Sequence, residues 1–349
     1  MPVARIVALL LSLFSFAPAH ATVQRTFVAS TGSDANTVLN CSLVNPCRGF
    51  AAAISVTSPK GEVIVLDSAA YGVIPAITKS ISVTAPAGIY AGISVFSGDG
   101  ITINASATDT VVLRGLTING QGGANGITIT NALVVHVENC VIANMVGIGI
   151  NQAKGLLDVK DTIVRNNGNI GVYVIGAAQA ALDRVRLEGN NTGLAAEFGG
   201  QVAMQDSVVT GSNNIGVLAT NPAATHSQVT IARSLISSNA YGIYVDGNSV
   251  TALANVASTE TSISSNGVGV HVTGDSGTVH LTRDIVTLNG TGLEAEAGGV
   301  AWIDGNNMLH NFSADVSYAA TSQIGTGNNN LVGSKVSGGF VFPITNFTF

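Results

Sequence analysis

The sequence predicts an all-β fold of the solenoid type, in which short coils of similar length stack along one axis. The main observation is a repeated phrase with Asn first, Gly fourth and apolar residues fifth and seventh. It is clear in "NAYGIYV" and "NGVGVHV", and it recurs about every 24 residues. Its central glycines are Gly126, Gly147, Gly171, Gly193, Gly216, Gly242, Gly269 and Gly292.

A second strand is predicted before each of these phrases, as in "VHVENCVI" and "VTIARSLI". Apolar residues alternate with polar ones in it, so one side of the strand faces a core. No helix-length pattern separates one unit from the next. A unit of strand, corner, strand and loop cannot bury its apolar face alone, so the units are expected to stack.

The Asn and Gly columns are predicted to be structural. Asn accepts left-handed backbone angles at a corner and bonds to nearby main chain. In coils stacked at about 4.8 Å, the amides of successive coils also come within reach of one another. Gly after the corner is expected to permit the tight turn back into a strand.

A column of mostly charged residues precedes the corner asparagines by about six positions. Its signs alternate from Asp161 onward, so in a stack each charge meets opposite charges above and below. We interpret the column as a surface ion ladder, not a catalytic site, and exposed ion pairs contribute little individually. Its members are Asn139, Asp161, Arg184, Asp206, Arg233, Glu260, Arg283 and Asp304.

The two ends of the chain depart from the repeat and are predicted to cap the stack, because a solenoid exposes its core at both ends. "RGFAAAIS" predicts a short amphipathic helix with Phe50, Ala53 and Ile54 on one face. The predicted organisation is a signal peptide at 1–21, an N-terminal cap at 22–60, coils at 61–320 and an aromatic C-terminal cap at 321–349. The alternative for the C-terminal aromatics is an outer-membrane sorting signal.

The N-terminus has the pattern of an export signal. Arg5 precedes an apolar run over 6–16, and Ala19-His20-Ala21 offers a cleavage site. We therefore expect a periplasmic or extracellular protein with no transmembrane segment in its mature chain. In an oxidising compartment Cys41 and Cys47 are expected to form a disulfide. Cys140 is expected to be an inert buried thiol, and the cysteine spacing predicts no zinc site.

The composition narrows the class of partner. Hydrophobic residues make up 46% of the chain, which is too apolar for disorder. The net charge of −6 argues against nucleic acid as a partner, because nucleic-acid binding favours clustered Lys and Arg.

Three features carry a resemblance to a known family: the segment "FVASTGSDAN…NPCRGFAAAI", the corner asparagine column and the coil length. In these the chain resembles the right-handed parallel β-helix proteins of the pectin-lyase-like superfamily. The resemblance implies a right-handed parallel β-helix solenoid with an N-terminal helical cap. It also implies a polysaccharide as partner, since that superfamily includes lyases, hydrolases, esterases and epimerases of acidic polysaccharides. Their catalytic motifs are absent from this sequence.

The candidate site comes from strand geometry. Residues two and four positions after each central Gly are expected to point outward. In the last three coils this places Tyr244, Asp246, His271, Glu294 and Glu296 on one outer face. Tyr244, His271 and Glu294 are predicted glycan-binding residues, with Tyr244 stacking on a sugar ring. Asp246 and Glu296 would lie roughly 9–10 Å apart, near the spacing of an inverting glycosidase pair.

Two functions follow from these observations. The sequence favours an exported, non-catalytic glycan-binding or surface structural protein, because the loops around this face are short, as in "ATNPAATHS". The alternative is a polysaccharide-active hydrolase or lyase that uses Asp246 and Glu296 as its catalytic pair. No cofactor is predicted. Ca²⁺ bound by Asp246, Glu294 and Glu296 stays open, but no motif supports it and calcium needs six to eight oxygen ligands.

Overall fold

The computed structural model describes residues 23–222, 225–247, 252–327 and 329–338. They form a parallel β-solenoid with three sheets, A, B and C, that run along its axis. Each full coil gives one strand to each sheet, and every strand pairs in parallel with the equivalent strand of the next coil. The prediction of an all-β solenoid is confirmed. The predicted signal peptide and the aromatic residues 340–349 lie outside the described residues.

Sheet A contains β1 (Val23–Val28), β2 (Thr57–Val65), β5 (Ile81–Thr84), β8 (Thr110–Arg114), β11 (Val134–Glu138), β14 (Leu156–Lys160), β17 (Gln179–Asp183), β20 (Gln201–Gln205), β23 (Ser227–Ala232), β26 (Ala254–Thr259), β29 (Gly277–Thr282), β32 (Val300–Asp304) and β35 (Gln323–Thr326). Sheet B contains β3 (Ala69–Ala70), β6 (Ala91–Val95), β9 (Leu116–Gly120), β12 (Val141–Ala143), β15 (Ile163–Arg165), β18 (Arg186–Glu188), β21 (Val208–Thr210), β24 (Leu235–Ser237), β27 (Ser262–Ser264), β30 (Ile285–Thr287), β33 (Asn307–Leu309) and β36 (Leu331–Val332). Sheet C contains β4 (Ile74–Ile77), β7 (Asp99–Asn104), β10 (Asn125–Asn131), β13 (Ile150–Gln152), β16 (Ile170–Ile175), β19 (Thr192–Glu197), β22 (Ile215–Thr220), β25 (Tyr241–Asp246), β28 (Val268–Thr273), β31 (Thr291–Glu296), β34 (Ala314–Tyr318) and β37 (Val336–Gly338).

The N-terminal cap is a short helix over the first coil. Helix α1 (Phe50–Val56) buries Phe50, Ala53 and Ile54, as predicted. A 3-10 helix at Asp34–Leu39 precedes it, and the Cys41–Cys47 disulfide forms. At the other end residues 323–338 add strands to all three sheets, so this part of the predicted cap is a further coil. No helix of the described residues is long and apolar enough to cross a membrane.

Each predicted two-strand unit has three strands, because a sharp corner divides the strand before the asparagine. The residue at that corner has left-handed backbone angles, with φ between +47° and +54° from Asn139 to Arg283. These are the residues of the predicted ion ladder. Each arginine pairs with the acid of the preceding coil, Arg184 with Asp161 at 2.7 Å and Arg233 with Asp206 at 2.8 Å.

The ion ladder continues to Arg283, which pairs with Glu260 at 3.0 Å. Asp304 is not part of it, contrary to the prediction. Asp304 ends strand β32 opposite Thr282, and Gly305 takes the left-handed position beside Arg283. The ladder pairs are exposed, so each contributes little to the free energy of unfolding.

The asparagine column forms a buried ladder between sheets B and C. Where two successive coils both carry an asparagine here, Nδ2 of the first donates to Oδ1 of the second, for example from Asn239 to Asn266 at 2.9 Å and from Asn266 to Asn289 at 3.0 Å. The expected left-handed angles belong instead to the residue before each asparagine, such as Ser238 and Ser265. The ladder members are Asn167, Asn190, Asn239, Asn266, Asn289 and Asn311.

Two repeats were aligned wrongly by the sequence pattern. Asn144 and Asn213 are exposed, and Met145 and Ser212 hold the ladder positions of their coils. Gly149, not Gly147, is the glycine of its coil that lies in the column of central glycines, between Gly126 and Gly171. The reason is that the pattern looks for asparagine, whereas these two coils place another residue at the buried position and an exposed asparagine beside it.

The central glycines have a different role from the one expected. At Gly242 a Cβ atom would lie 2.5 Å from the carbonyl oxygen of Gly269 and 2.9 Å from Nδ2 of Asn266. The φ angle of Gly242 is not in the left-handed region. Glycine is therefore required for close approach of the next coil, not for a turn. This contact explains why Asn and Gly recur together.

A second buried polar column lies between sheets A and B. Each member accepts a hydrogen bond from a backbone N–H of the preceding coil: Asp284 Oδ1 from Thr261 at 2.8 Å, and Asn306 Oδ1 from Asp284 at 2.8 Å. Nδ2 of Asn306 also donates to the carbonyl oxygen of Leu281. Asp284 has no such donor, and its Oδ2 atom is buried without a hydrogen bond. Burial raises the pKa of Asp284 to about 6.

We expect Asp284→Asn to stabilise the protein at neutral pH. The folded state holds the Asp284 proton more tightly than the unfolded chain, so stability falls as the pH rises from about 4 through 6. Asn removes this loss and supplies the missing donor. The gain should be near zero at pH 4 and on the order of 2–3 kcal/mol at pH 7. Denaturant unfolding at both pH values measures it, with the exposed Asp304→Asn as control. An equal gain at both pH values would contradict the titration of Asp284.

Candidate functional site

The structure brings the predicted site residues together on the outer face of sheet C. Tyr244 pairs with His271 and His271 with Glu294, so the three side chains form one column. Asp246 pairs with Thr273 and Thr273 with Glu296, which gives a second column beside it. Asp246 and Glu296 are therefore two coils apart, roughly 9–10 Å by strand spacing.

Aromatic rings in this cluster pack on one another. The rings of Tyr244 and His271 stack with centroids 4.8 Å apart and planes 5° apart. Tyr241 meets both edge-on, at 5.2 Å and 5.5 Å. His271 is only 7% exposed although its strand position points outward. One face of Tyr244 is thus occupied by a protein ring and is not offered to a sugar.

The polar groups of the cluster are also engaged. Nδ1 of His271 lies 2.9 Å from Oε2 of Glu294. Burial, followed by the charge of Asp246, raises the pKa of the Tyr244 hydroxyl, which stays protonated at neutral pH. Among the described residues no group of three or more His, Cys, Asp or Glu side chains is placed to hold a metal ion. The glycan-binding and catalytic roles of these five residues stay predictions.

A different surface, the outer face of sheet A, carries a groove that the sequence pattern did not reveal. Its floor is a column of small side chains, and beside it runs a column of amides that we call the amide column. Neighbouring amides interact, with Nε2 of Gln179 lying 3.3 Å from Oε1 of Gln201. The floor residues are Ala181, Ala203, Thr230 and Ala257, and the amide column is Gln179, Gln201, Gln228 and Asn255.

Three adjoining cavities make up this groove. One of about 230 Å³ lies between the amide column and the floor at Ala203 and Thr230. A second, of about 410 Å³, shares Ala203 and Thr230 and reaches to Thr259. A third, also of about 410 Å³, shares Gln179 and extends to Leu133 and Leu156. Because they share lining residues, they form one open groove that crosses several coils.

Exposed apolar side chains lie where the chain enters sheet A. Leu133 is 46% exposed and Leu156 is 44% exposed, and both line the third cavity. Farther along the same sheet Trp302 is 51% exposed, and its ring lies near parallel to that of His280 with centroids 6.5 Å apart. The groove therefore combines amide groups with apolar surface, as ligand sites commonly do.

One further pair occurs on sheet A. Nδ1 of His136 lies 3.0 Å from Oδ2 of Asp158, and both side chains face outward in the column of the groove floor. Neither residue lines the three cavities.

The sequence signal that could have revealed the groove lies in the sheet A strand, before the left-handed corner of each coil. Its outward positions hold Gln or Asn followed two residues later by Ala or Thr, in four successive coils.

Comparison with known proteins gives the following similarities. Residues 99–286 match the family model described as "right handed beta helix region". A search of curated proteins found no match. Among solved structures, the A-modules of mannuronan C-5 epimerases AlgE4 and AlgE6 of Azotobacter vinelandii are similar, with TM-scores of 0.63 and 0.57 and 14% and 15% identity. The AlgE4 match covers 80% of this chain and 87% of that chain, and the AlgE6 match 81% and 91%.

A tailspike protein is also similar. The Dettilon tailspike protein matches with a TM-score of 0.56 and 11% identity, over 83% of this chain and 63% of that chain. At such identities these matches show the fold alone.

Proposed function

We propose that this chain, which belongs to the right-handed β-helix family, binds a polysaccharide along the groove of sheet A without cleaving it. The observation that carries this proposal is the continuous groove beside the amide column. Two of the similar structures are mannuronan epimerase modules, so a polysaccharide ligand agrees with the use of this fold elsewhere.

The groove is suited to a linear polymer because its own chemistry repeats. Gln179, Gln201 and Gln228 present an amide at each of three successive coils, at the spacing of neighbouring strands, about 4.8 Å. Asn255 continues the column in the next coil, where its Oδ1 atom is buried. An amide both donates and accepts hydrogen bonds, and it can therefore bind the hydroxyl groups of a sugar. A ligand that uses the whole column must repeat its own polar groups along its length.

Among the described residues, the lining of the groove lacks the pair of carboxyl groups that glycoside hydrolysis needs. Hydrolysis of this kind commonly uses two carboxyl groups on opposite sides of the scissile bond. Asp183 supplies the one carboxylate among the lining residues of the three cavities. It lies 2.7 Å from Nη1 of Arg184 and 4.0 Å from Nζ of Lys160, in an ion-pair network. This arrangement supports binding, not cleavage.

Blocking the groove tests the proposal. Ala203→Trp places an indole where the first and second cavities meet, and we expect it to weaken polysaccharide binding at least tenfold. The matched control is Ala124→Trp, at an exposed corner between sheets B and C, which should bind like the parent protein. Isothermal titration calorimetry measures both. Equal affinity of the two variants would contradict a binding site in this groove.

The enzymatic alternative places catalysis on the outer face of sheet C, and the same binding assay distinguishes it from the proposed function. Asp246→Asn and Glu296→Gln leave sheet A unchanged, so under the proposal both variants bind polysaccharide normally. Product analysis of a polysaccharide digest measures cleavage in parallel. Cleavage by the parent protein that disappears in either variant would favour the enzyme.

Export through the predicted signal peptide is part of the proposal, since polysaccharides of this kind lie outside the cytoplasm.

A further inference from the structure

We infer that the ligand of the sheet A groove is an uncharged polysaccharide, not a polyuronate; this inference rests on the proposed function and names its substrate class. The resemblance of the sequence to polysaccharide-active proteins implies acidic substrates. The charges around the groove point to the opposite class.

The central part of the groove carries no positive charge in its lining. The two cavities over strands β17, β20, β23 and β26 are lined by amides, small residues and apolar residues, with Asp183 as their charged member. The third cavity adds a single cation, Lys154. A polyuronate carries one carboxylate per sugar and needs cations at intervals along the groove.

Arginine side chains lie beside the groove, but each already forms hydrogen-bonded ion pairs with neighbouring acidic side chains. Arg184 binds Asp161 through two hydrogen bonds of 2.7 and 2.9 Å, and its remaining nitrogen donates to Asp183. Arg233 binds Asp206 in the same two-point manner, at 2.9 and 2.8 Å. A carboxylate on the ligand would have to displace these partners.

The net charge of the chain also disfavours an acidic polysaccharide as the ligand. The chain has a net charge of −6, so a polyanion approaches against a repulsive field at low ionic strength. An uncharged polysaccharide meets no such barrier. The amide column supplies its hydrogen bonds, and Leu133 and Leu156 supply apolar surface for the C–H faces of the sugar rings.

The inference is tested with the full chain against two groups of soluble polysaccharides. The uncharged group is mixed-linkage β-glucan, galactomannan and dextran, and the acidic group is polygalacturonate and alginate. We expect binding within the uncharged group alone, and affinity that changes less than twofold between about 10 and 150 mM salt. Calorimetry or affinity electrophoresis gives the dissociation constants.

A variant provides the positive control for acidic ligands. Gln201→Lys with Gln228→Lys places two cations on neighbouring coils, and it should gain at least tenfold in affinity for polygalacturonate. A variant that still ignores polygalacturonate would contradict the placement of the ligand along the amide column.

The outcomes for the parent protein separate the two proposals. Tighter binding of a polyuronate, lost at high salt, would overturn the inference about substrate class and leave the binding function intact. Binding of neither group would overturn the proposed function itself.

Discussion

Replacing Asn266 by Ala is expected to lower the free energy of unfolding by about 3–4 kcal/mol. Oδ1 of Asn266 accepts from the backbone N–H of Asn239 and from its Nδ2, at 3.0 and 2.9 Å. Nδ2 of Asn266 donates to Asn289 and to the carbonyl oxygen of Ile236. All of these groups are buried, so the alanine leaves donors and an acceptor that water cannot reach.

The chain offers a matched control in Asn213. It belongs to the same corner and fits the same sequence phrase, but it is exposed. Asn213→Ala should change the free energy of unfolding by less than about 0.5 kcal/mol. Urea unfolding followed by circular dichroism measures both variants. Similar losses for the two asparagines would contradict the ladder as the source of stability.

Replacing Gly242 by Ala is expected to cost about 3 kcal/mol, because the added methyl group collides with the next coil. The carbonyl oxygen of Gly269 would be 2.5 Å away and Nδ2 of Asn266 2.9 Å away. The contact with Gly269 is a backbone contact, so relief requires the two coils to separate and weakens the asparagine ladder at the same time. Thermal and urea unfolding measure the effect.

Gly72→Ala separates this collision from backbone strain. Gly72 has a φ of +78° and nothing within 4 Å of an added Cβ, so its substitution tests the left-handed angle alone. That cost should be about 1 kcal/mol. A loss at Gly242 no larger than the loss at Gly72 would contradict close approach between coils as the reason for the glycine column.

Stability and binding use different surfaces of this protein. The asparagine and glycine columns lie inside the corners and hold neighbouring coils together. The groove lies on the outer face of sheet A, where side chains have little part in the stacking. Substitutions at Ala203 or Gln201 should therefore change ligand affinity with small effects on unfolding.

Much of the fold could be predicted from local pattern. Alternation identifies Val135 and Val137 as core residues, and the recurrence of Asn and Gly identifies the corners. The apolar face of the helix at Phe50 and the pairing of Cys41 with Cys47 also follow from nearby residues. These features depend on residues close in sequence.

The left-handed corner at Arg184, Arg233 and Glu260 could not be predicted, because long charged side chains seldom take these angles. The corner forms because the chain must turn from sheet A to sheet B while its apolar residues stay inside. The ion ladder could still be recognised, since its alternation of sign is visible in the sequence.

The candidate sites show the limit of the sequence more clearly. Their columns join residues from different coils, and the loops between coils differ in length, so that 22 residues separate Gln179 from Gln201 and 27 separate Thr210 from its partner Ser237. The burial of His271 under Tyr244 likewise depends on a side chain one coil away.

The sequence by itself determined that the chain repeats, which side of each strand faces the core, and that an asparagine corner recurs in most coils, because period and turn chemistry are local. The tertiary structure alone decided which outward residues become neighbours, which residue of each corner enters the buried ladder, and that a groove exists on sheet A. The physical reason is that hydrogen bonds between stacked strands fix which residues of successive coils lie opposite one another. The loops between coils differ in length, so this pairing is not visible as a constant spacing in the sequence.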